Sequence, residues 1–376
     1  MTPTNRAVVS LPQAGTVARS TVYPRILVAF FLFSLPLVNP VVHGDGVGYY
    51  AYARAPLIQH NLRFEEDWRH GNLNFAQSRT LSNGQLEPNQ YAETGYVNNL
   101  FTVGPAILWS PFLLAAHAAV LTLNALGRHI PADGFSAPYR VAMALGTAIY
   151  GFLGLSFSFA LARKFVQEKW AFLATLGIWT ASALPVYMYF NPAWSHAHSA
   201  FVVALFFWYW ERTRPERTPA QWLVLGLLSG LMIDVYFPNG VFLLIPLVEA
   251  VRSYSRLLLP LNRASLLRHL VVHGLFLVTV SIAVVPTLIT RRIIFGGMLR
   301  FGSYSALGWD WRAPFWRRVA FSADHGLLSW TPILIFALVG LFLAQKPSRA
   351  VAAYLTVGAA GFYYLISSYP YWDGLS

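Results

Sequence analysis

The stretch from residue 26 to residue 50, ILVAFFLFSLPLVNPVVHGDGVGYY, decides how the rest of the chain is read. An apolar run from Ile26 to Val42 ends here, and Asp45, the first acidic residue of the protein, follows directly. A mainly polar segment then continues to Asn98. Gly44, Gly46 and Gly48 surround Asp45, so the backbone can turn sharply and come close to a bulky ligand. A carboxylate at the mouth of a membrane span is costly to place and tends to mark a substrate path or a catalytic group. The same residue also suits a structural task, accepting a hydrogen bond from the start of a helix over residues 47 to 54. Both readings are open at this point.

Outward from this stretch, the composition is that of an integral membrane protein. Apolar residues make up 56% of the chain and charged residues only 11%, against about a quarter charged in soluble domains. Apolar segments lie near residues 26 to 42, 100 to 123, 140 to 161, 171 to 190, 195 to 210, 220 to 236, 240 to 251, 269 to 289, 327 to 344 and 350 to 368. They are continuous rather than alternating, which predicts an all-α polytopic helical bundle of nine to eleven membrane segments and excludes a β-barrel. The net charge of +12 sits in short blocks between the apolar runs, leaving no basic arm for nucleic acid. With no cysteine, disulfides and thiolate metal sites are excluded. Residues 1 to 25 carry Arg6, Arg19 and Arg25 without an acid, and Asn39 to His43 make a poor cleavage site. The first apolar run therefore reads as an uncleaved span behind a cytoplasmic tail.

Basic blocks orient the helices. Arg252, Arg256, Arg263 and Arg268, Arg163-Lys164 with Lys169, and Lys346 with Arg349 belong inside. This predicts that residues 43 to 98, the turn at 191 to 194, the tip of the 220 to 251 hairpin, residues 290 to 326 and the C-terminal residues from Tyr369 lie outside. It also places residues 125 to 138 outside, so the apolar segment 100 to 123 must dip in and return, or lie against the bundle. Tyr49 to Leu62 and Phe64 to Asn74 read as amphipathic helices in the interface, with Tyr50, Tyr52, Trp68 and Tyr96 in an aromatic belt. Ser78 to Asn98 reads as irregular chain.

The outer elements would gather one carboxylate (Asp45), His196 and His198 at the start of a span, Asp234 and Asn239 on the hairpin tip, the arginine-rich loop with Arg291 and Arg292, and Asp324-His325. Such a basic, water-accessible site with a single strong base suits transfer of a group from a phosphate carrier. Arginine and histidine hold the phosphate, and the carboxylate takes the proton of the attacking hydroxyl. Gly44-x-Gly46-x-Gly48 follows a helix rather than a strand, so nucleotide cradling is unsupported. With no soluble domain for a nucleotide sugar, the donor should be a lipid phosphate in the membrane. Each residue has a plainer reading: a cap for Asp45, a belt position for Tyr49, interfacial packing for the histidines, headgroup contact for the arginines, and a hairpin-tip contact for Asp234. His196 and His198 stand two apart on a helix and do not share a face.

Several motifs resemble the polytopic GT-C glycosyltransferases, in the bacterial branch similar to dolichyl-phosphate-mannose protein mannosyltransferases and aminoarabinose transferases. They are Asp45-x-x-x-Tyr49 after the first span, Gly104-Pro105 at the second apolar segment, and the Leu225 to Leu231 run LGLLSGL. Later in the chain they are His325 to Pro332, HGLLSWTP, and the closing Tyr371-Trp372-Asp373-Gly374. The resemblance runs from about residue 25 to the end and implies a transmembrane domain over residues 26 to 376. It implies an enzyme of the plasma (inner) membrane, active on its extracytoplasmic side. The donor would be a polyprenyl-phosphate sugar and the acceptor an extracytoplasmic glycan, lipid or protein. Asp45 would be the catalytic base or a divalent-metal ligand, with metal dependence left open, and Tyr49, His196, His198, Asp234, Arg291, Arg292, Asp324 and His325 would contact substrate. Two departures bear on the metal: Gly46 follows Asp45 where many relatives have a second acid, and Trp194 to His198 stands where many have a later one. The chain also ends directly after the YWDG motif, where the resemblance implies a basic tail or further spans, as a C-terminally truncated fragment would. The competing class is a polytopic transporter or flippase for a lipid-linked or anionic substrate, although no internal repeat is visible.

Overall fold

The computed structural model describes residues 21–214, 216–258, 263–300, 308–344 and 348–372. Residues 1 to 20 of the basic tail, Lys346 and Asp373-Gly374 lie outside the described residues. The fold is all-helical. In chain order the helices are α1 Val22–Ser34, α2 Asp45–Arg54, α3 Glu65–His70, α4 Leu73–Gln77, α5 Gly104–Ala125, α6 Ala137–Ala162, α7 Glu168–Thr180 and α8 His196–Thr213. There follow α9 Pro219–Val235, α10 Leu244–Leu258, α11 Arg263–Phe295, α12 Trp316–Phe321, α13 Leu327–Trp330, α14 Leu334–Leu343 and α15 Arg349–Ser367.

Among the described residues four helices, α5, α6, α11 and α15, are long and apolar enough to cross a membrane. Helices α9 and α14, and α1 with its short extension to Leu37, are apolar but shorter. This is fewer than the nine to eleven segments predicted, because several runs that read as continuous are broken. The run at 171 to 190 stops at Thr180 and resumes past Pro185 as the π-turn Val186–Phe190. The run at 240 to 251 opens as the 3-10 helix Phe237–Leu243, and the one at 327 to 344 is divided at Thr331-Pro332 between α13 and α14. Large apolar side chains face outward on these helices: Phe33, Leu277, Ile282, Phe336 and Phe342 are all exposed. Such surfaces require an apolar surrounding.

The helices approach through small residues. A Cβ on Gly226 would press on the Phe276 carbonyl of α11, and one on Gly230 would meet Ala283 and the Val280 carbonyl. The LGLLSGL run is thus the close-contact seam between α9 and α11. Gly154 plays the same part for α6, against the backbone at Ala200 and Phe201 of α8.

The segment predicted to lie in the interface is instead a core. Every residue of α2 from Gly46 to Arg54 is buried, and Tyr49, Tyr50, Tyr52 and Trp68 join one cluster with Phe64, Val97, Trp109 and Ile294. The polar segment folds over its own aromatics, which removes Tyr50, Tyr52 and Trp68 from any belt. Its centre is the Arg54–Asp67 pair, with Nε to Oδ1 at 2.6 Å. A second bond to Asp67 of 2.6 Å, one to Gln59 and the face of Phe135 complete the surroundings of Arg54.

Helix α2 ties the two ends of the 100 to 123 segment into one unit, and that segment is itself the 22-residue apolar helix α5. The first residue of α2 belongs to the group around Phe101, while at its far end Tyr50 donates to Gly134 O (2.6 Å) and Arg54 to Asp133 O (3.3 Å). Residues 98 to 103 meet the end of α9, where Thr102 donates to Val235 O. Helix α5 then packs along the first half of α6, with Trp109 on Thr147 and His117 on Tyr139.

Candidate functional site

One cavity, about 470 Å³, is walled by segments far apart in sequence: Asp45 and Tyr49 of α2, Leu100 to Thr102, Tyr187, Trp194 to His196, Tyr236-Phe237, His325, Ile366 near the end of α15, and Tyr369, Tyr371 and Trp372 beyond it. Its size is that of a small-molecule site, and aromatic side chains dominate its wall.

Local sequence explains how Asp45 reaches it. Leaving α1, the chain is pinned to the 189 to 194 turn, with Asn39 N on Tyr189 O (2.7 Å), His43 Nε2 on Asn191 Oδ1 (2.8 Å) and Trp194 Nε1 donating to His43 O (3.1 Å). Gly44 turns the backbone at φ 52° beneath the Trp194 ring. A Cβ on Gly46 would strike Ala193, and one on Gly48 the ring of Phe101. The three glycines therefore let α2 slide between two walls and leave Asp45 at the opening. The capping role does not hold: the N-cap is Gly44, and no side chain caps this helix. Beside Asp45, the Tyr49 hydroxyl accepts from Ser195 at 3.0 Å, and its ring packs on Phe101.

Asp45 is exposed to the cavity yet surrounded by protein. Burial raises its carboxyl above the ordinary carboxylate range, and the positive charge of Arg79 pulls it partly back. Arg79 is held in place by Ser78 Oγ (2.7 Å), the Phe75 carbonyl (3.2 Å) and the Phe75 ring face. Burial and the Asp45 charge together push the Tyr369 phenol up.

Of the sequence-derived candidates, Asp45, Tyr49, His196 and His325 line this cavity. His196 sits among Tyr187, Trp194 and Tyr236, the closest ring centroid being 4.2 Å away. His198, two positions on, turns into the core, edge-on to Trp109 at 4.9 Å. Asp234 is buried behind the wall within the electrostatic reach of Arg291. Arg291 is buried too and donates to the carbonyls of Leu100 and Phe101, so it fixes the cavity wall rather than facing into it. Arg292 is exposed and away from the cavity, and Asp324 lines the neighbouring one. Among the described residues no group of three or more His, Asp or Glu side chains is placed to hold a metal ion.

The two arginines should separate in experiment. Arg291→Gln strands two carbonyls in a buried region and should cost roughly 1 to 3 kcal/mol. Arg292→Gln should stay within about 0.5 kcal/mol. Thermal unfolding of the purified protein in detergent reads both, and equal losses would contradict the placement of Arg291 in the wall.

Reading the sequence alone does not reveal Arg79, Tyr187, Phe101 or Tyr369 as site residues. The only signal of the three aromatic residues is aromatic density near helix ends, which a lipid-facing belt produces equally, and Arg79 lies in a stretch that reads as irregular chain. No model of a known protein family matches the chain, and no curated protein or solved structure matches it either.

Proposed function

We propose that this protein is a membrane glycosyltransferase of GT-C-like architecture. It moves a sugar from a polyprenyl-phosphate donor to the hydroxyl of an extracytoplasmic glycan, lipid or protein, with inversion at the anomeric carbon. The observation that carries this reading is Asp45, the one carboxylate among the described residues lining the large aromatic cavity. A single displacement needs one base near the acceptor hydroxyl and no second, nucleophilic carboxylate. Asp45 removes the hydroxyl proton as oxygen attacks the anomeric carbon, and the phosphate leaves from the opposite face with the bonding electrons. The raised carboxyl is a stronger base than an ordinary aspartate. Aromatic faces suit a sugar ring, and the apolar helix surfaces suit the lipid chain. The remaining apolar runs act as partial membrane segments around the four long helices.

Reconstitution tests this reading. Purified protein in liposomes with a radiolabelled polyprenyl-phosphate sugar should give label in an acceptor fraction. Movement of intact donor across the bilayer without transfer would favour the flippase reading instead.

Sidedness follows in this reading from the basic N-terminus, placing residues 43 to 98 outside the plasma (inner) membrane. Ser82 is exposed, so Ser82→Cys should react with a membrane-impermeant maleimide in spheroplasts. Reaction only after lysis would move the site to the other side.

The pH profile carries a signature of Arg79. Only ionised Asp45 can act as base, so activity falls as pH drops through its raised pKa. Arg79→Gln removes the attraction that lowers this pKa, and the acid limb should move to higher pH. An unmoved or lowered limb would disconnect the two residues.

A further inference from the structure

A second cavity, about 460 Å³, adjoins the first and is lined by Phe315, Arg317, Arg318, Asp324, Trp372 and neighbouring residues. The two share a wall: Trp372 lines both, and the adjacent residues Asp324 and His325 divide between them. The backbone accomplishes this by turning through His325 in the left-handed region at φ 67°. The His325 ring then rests on Trp330 at 4.7 Å, and Trp330 Nε1 donates back to Ala323 O at 2.7 Å. The rest of the wall is equally tied down, with Phe315 N on Ser367 O (2.7 Å) and Asp310 N on Ser368 O (2.8 Å) fastening the α12 segment to the end of α15.

We propose that this second cavity is an acceptor subsite that takes an acidic sugar, one bearing a carboxylate or phosphate, and presents the adjoining hydroxyl to Asp45. The proposal rests on the reading of the Asp45 cavity as the transfer site. Its chemistry comes from three kinds of group side by side. Arg317 and Arg318 are exposed into it, and no ion pair among the described residues engages either of them or Asp324. Both arginines line the same cavity, and each guanidinium fork can grip an oxyanion bidentately. Phe321 and Trp372 offer ring faces for the apolar side of a pyranose, while Arg318 lies over the ring of Phe315 at 5.9 Å. Asp324 accepts from sugar hydroxyls, a contact that a bare phosphate does not offer. A ligand that reaches past Trp372 from this cavity enters the one that Asp45 lines.

The test is calorimetric titration of the purified full chain in detergent with glucose 6-phosphate and glucuronic acid as probes, and with glucose and inorganic phosphate as references. At least one acidic sugar should bind, at least tenfold more tightly than glucose or phosphate. Arg317→Gln/Arg318→Gln should weaken it tenfold or more, and so should Trp372→Ala, which leaves the charge in place. Equal binding of phosphate and glucose 6-phosphate would overturn the proposal in favour of a general anion or headgroup site. Absence of binding by both acidic sugars, or insensitivity to both variants, would overturn it outright. Probe binding needs no donor. A protein that binds the probes without transferring sugar would refute the transferase reading, whereas one that transfers without binding them would refute only this subsite.

Discussion

Asp45→Asn should lower sugar transfer by roughly 100- to 10,000-fold, the range of positioned base catalysis, while leaving the fold intact. Asparagine keeps the shape of the side chain and loses its basicity. Because Gly44 is the N-cap and no side-chain cap bond exists, no cap is lost with the charge, and the attraction to Arg79 that is lost is smaller than the burial it partly offsets. The stability effect has a definite sign. Burial raises the carboxyl in the folded protein above its unfolded value, so the folded state holds the proton more tightly. Stability therefore falls as pH rises through that window and stays lower above it. At neutral pH the ionised carboxylate is a cost, and Asp45→Asn should unfold at the same temperature as the wild type or a higher one. A variant that is inactive and less stable would return Asp45 to a structural role.

The largest stability loss is expected at the other end of α2. Asp67→Ala leaves the Arg54 guanidinium buried without its carboxylate, where the two side chains are 1% and 2% exposed. Breaking a buried pair in this way costs about 3 to 5 kcal/mol. Arg54 also holds Gln59 and the Asp133 carbonyl, so the damage should extend to the 131 to 135 loop. Glu66→Gln is the matched control, since its contact with Arg69 lies at the surface and is worth about 0 to 1 kcal/mol. Thermal unfolding in detergent compares the two, and equal shifts would mean that α2 is not the keystone of its cluster.

Parts of this architecture were legible from residues alone. Continuous apolar runs announced membrane helices, although Pro185 and Pro332 broke runs that hydropathy alone joins. The two-residue spacing of His196 and His198 separated them correctly onto different faces. Asp45 stood out because a lone acid follows a long acid-free stretch. Other features had no local signature. Tyr50, Tyr52 and Trp68 read as belt residues because nothing nearby in sequence shows that the polar segment folds over them. Arg291 read as a phosphate ligand because its partners, the carbonyls of Leu100 and Phe101, carry no sequence mark. The cavity wall likewise joins Asp45 to Tyr369 across almost the whole chain, a closure set by how the helices pack.

The central claim, an inverting transfer based on Asp45, is tested most directly by the anomeric configuration of the product. A polyprenyl-phosphate sugar of defined anomer, labelled with carbon-13 at the anomeric position, would be turned over by the purified protein and the product read by NMR. The account requires the opposite anomer in the product, formed by the wild type and all but lost in Asp45→Asn. Retention of the donor configuration, or wild-type turnover by the asparagine variant, would contradict it.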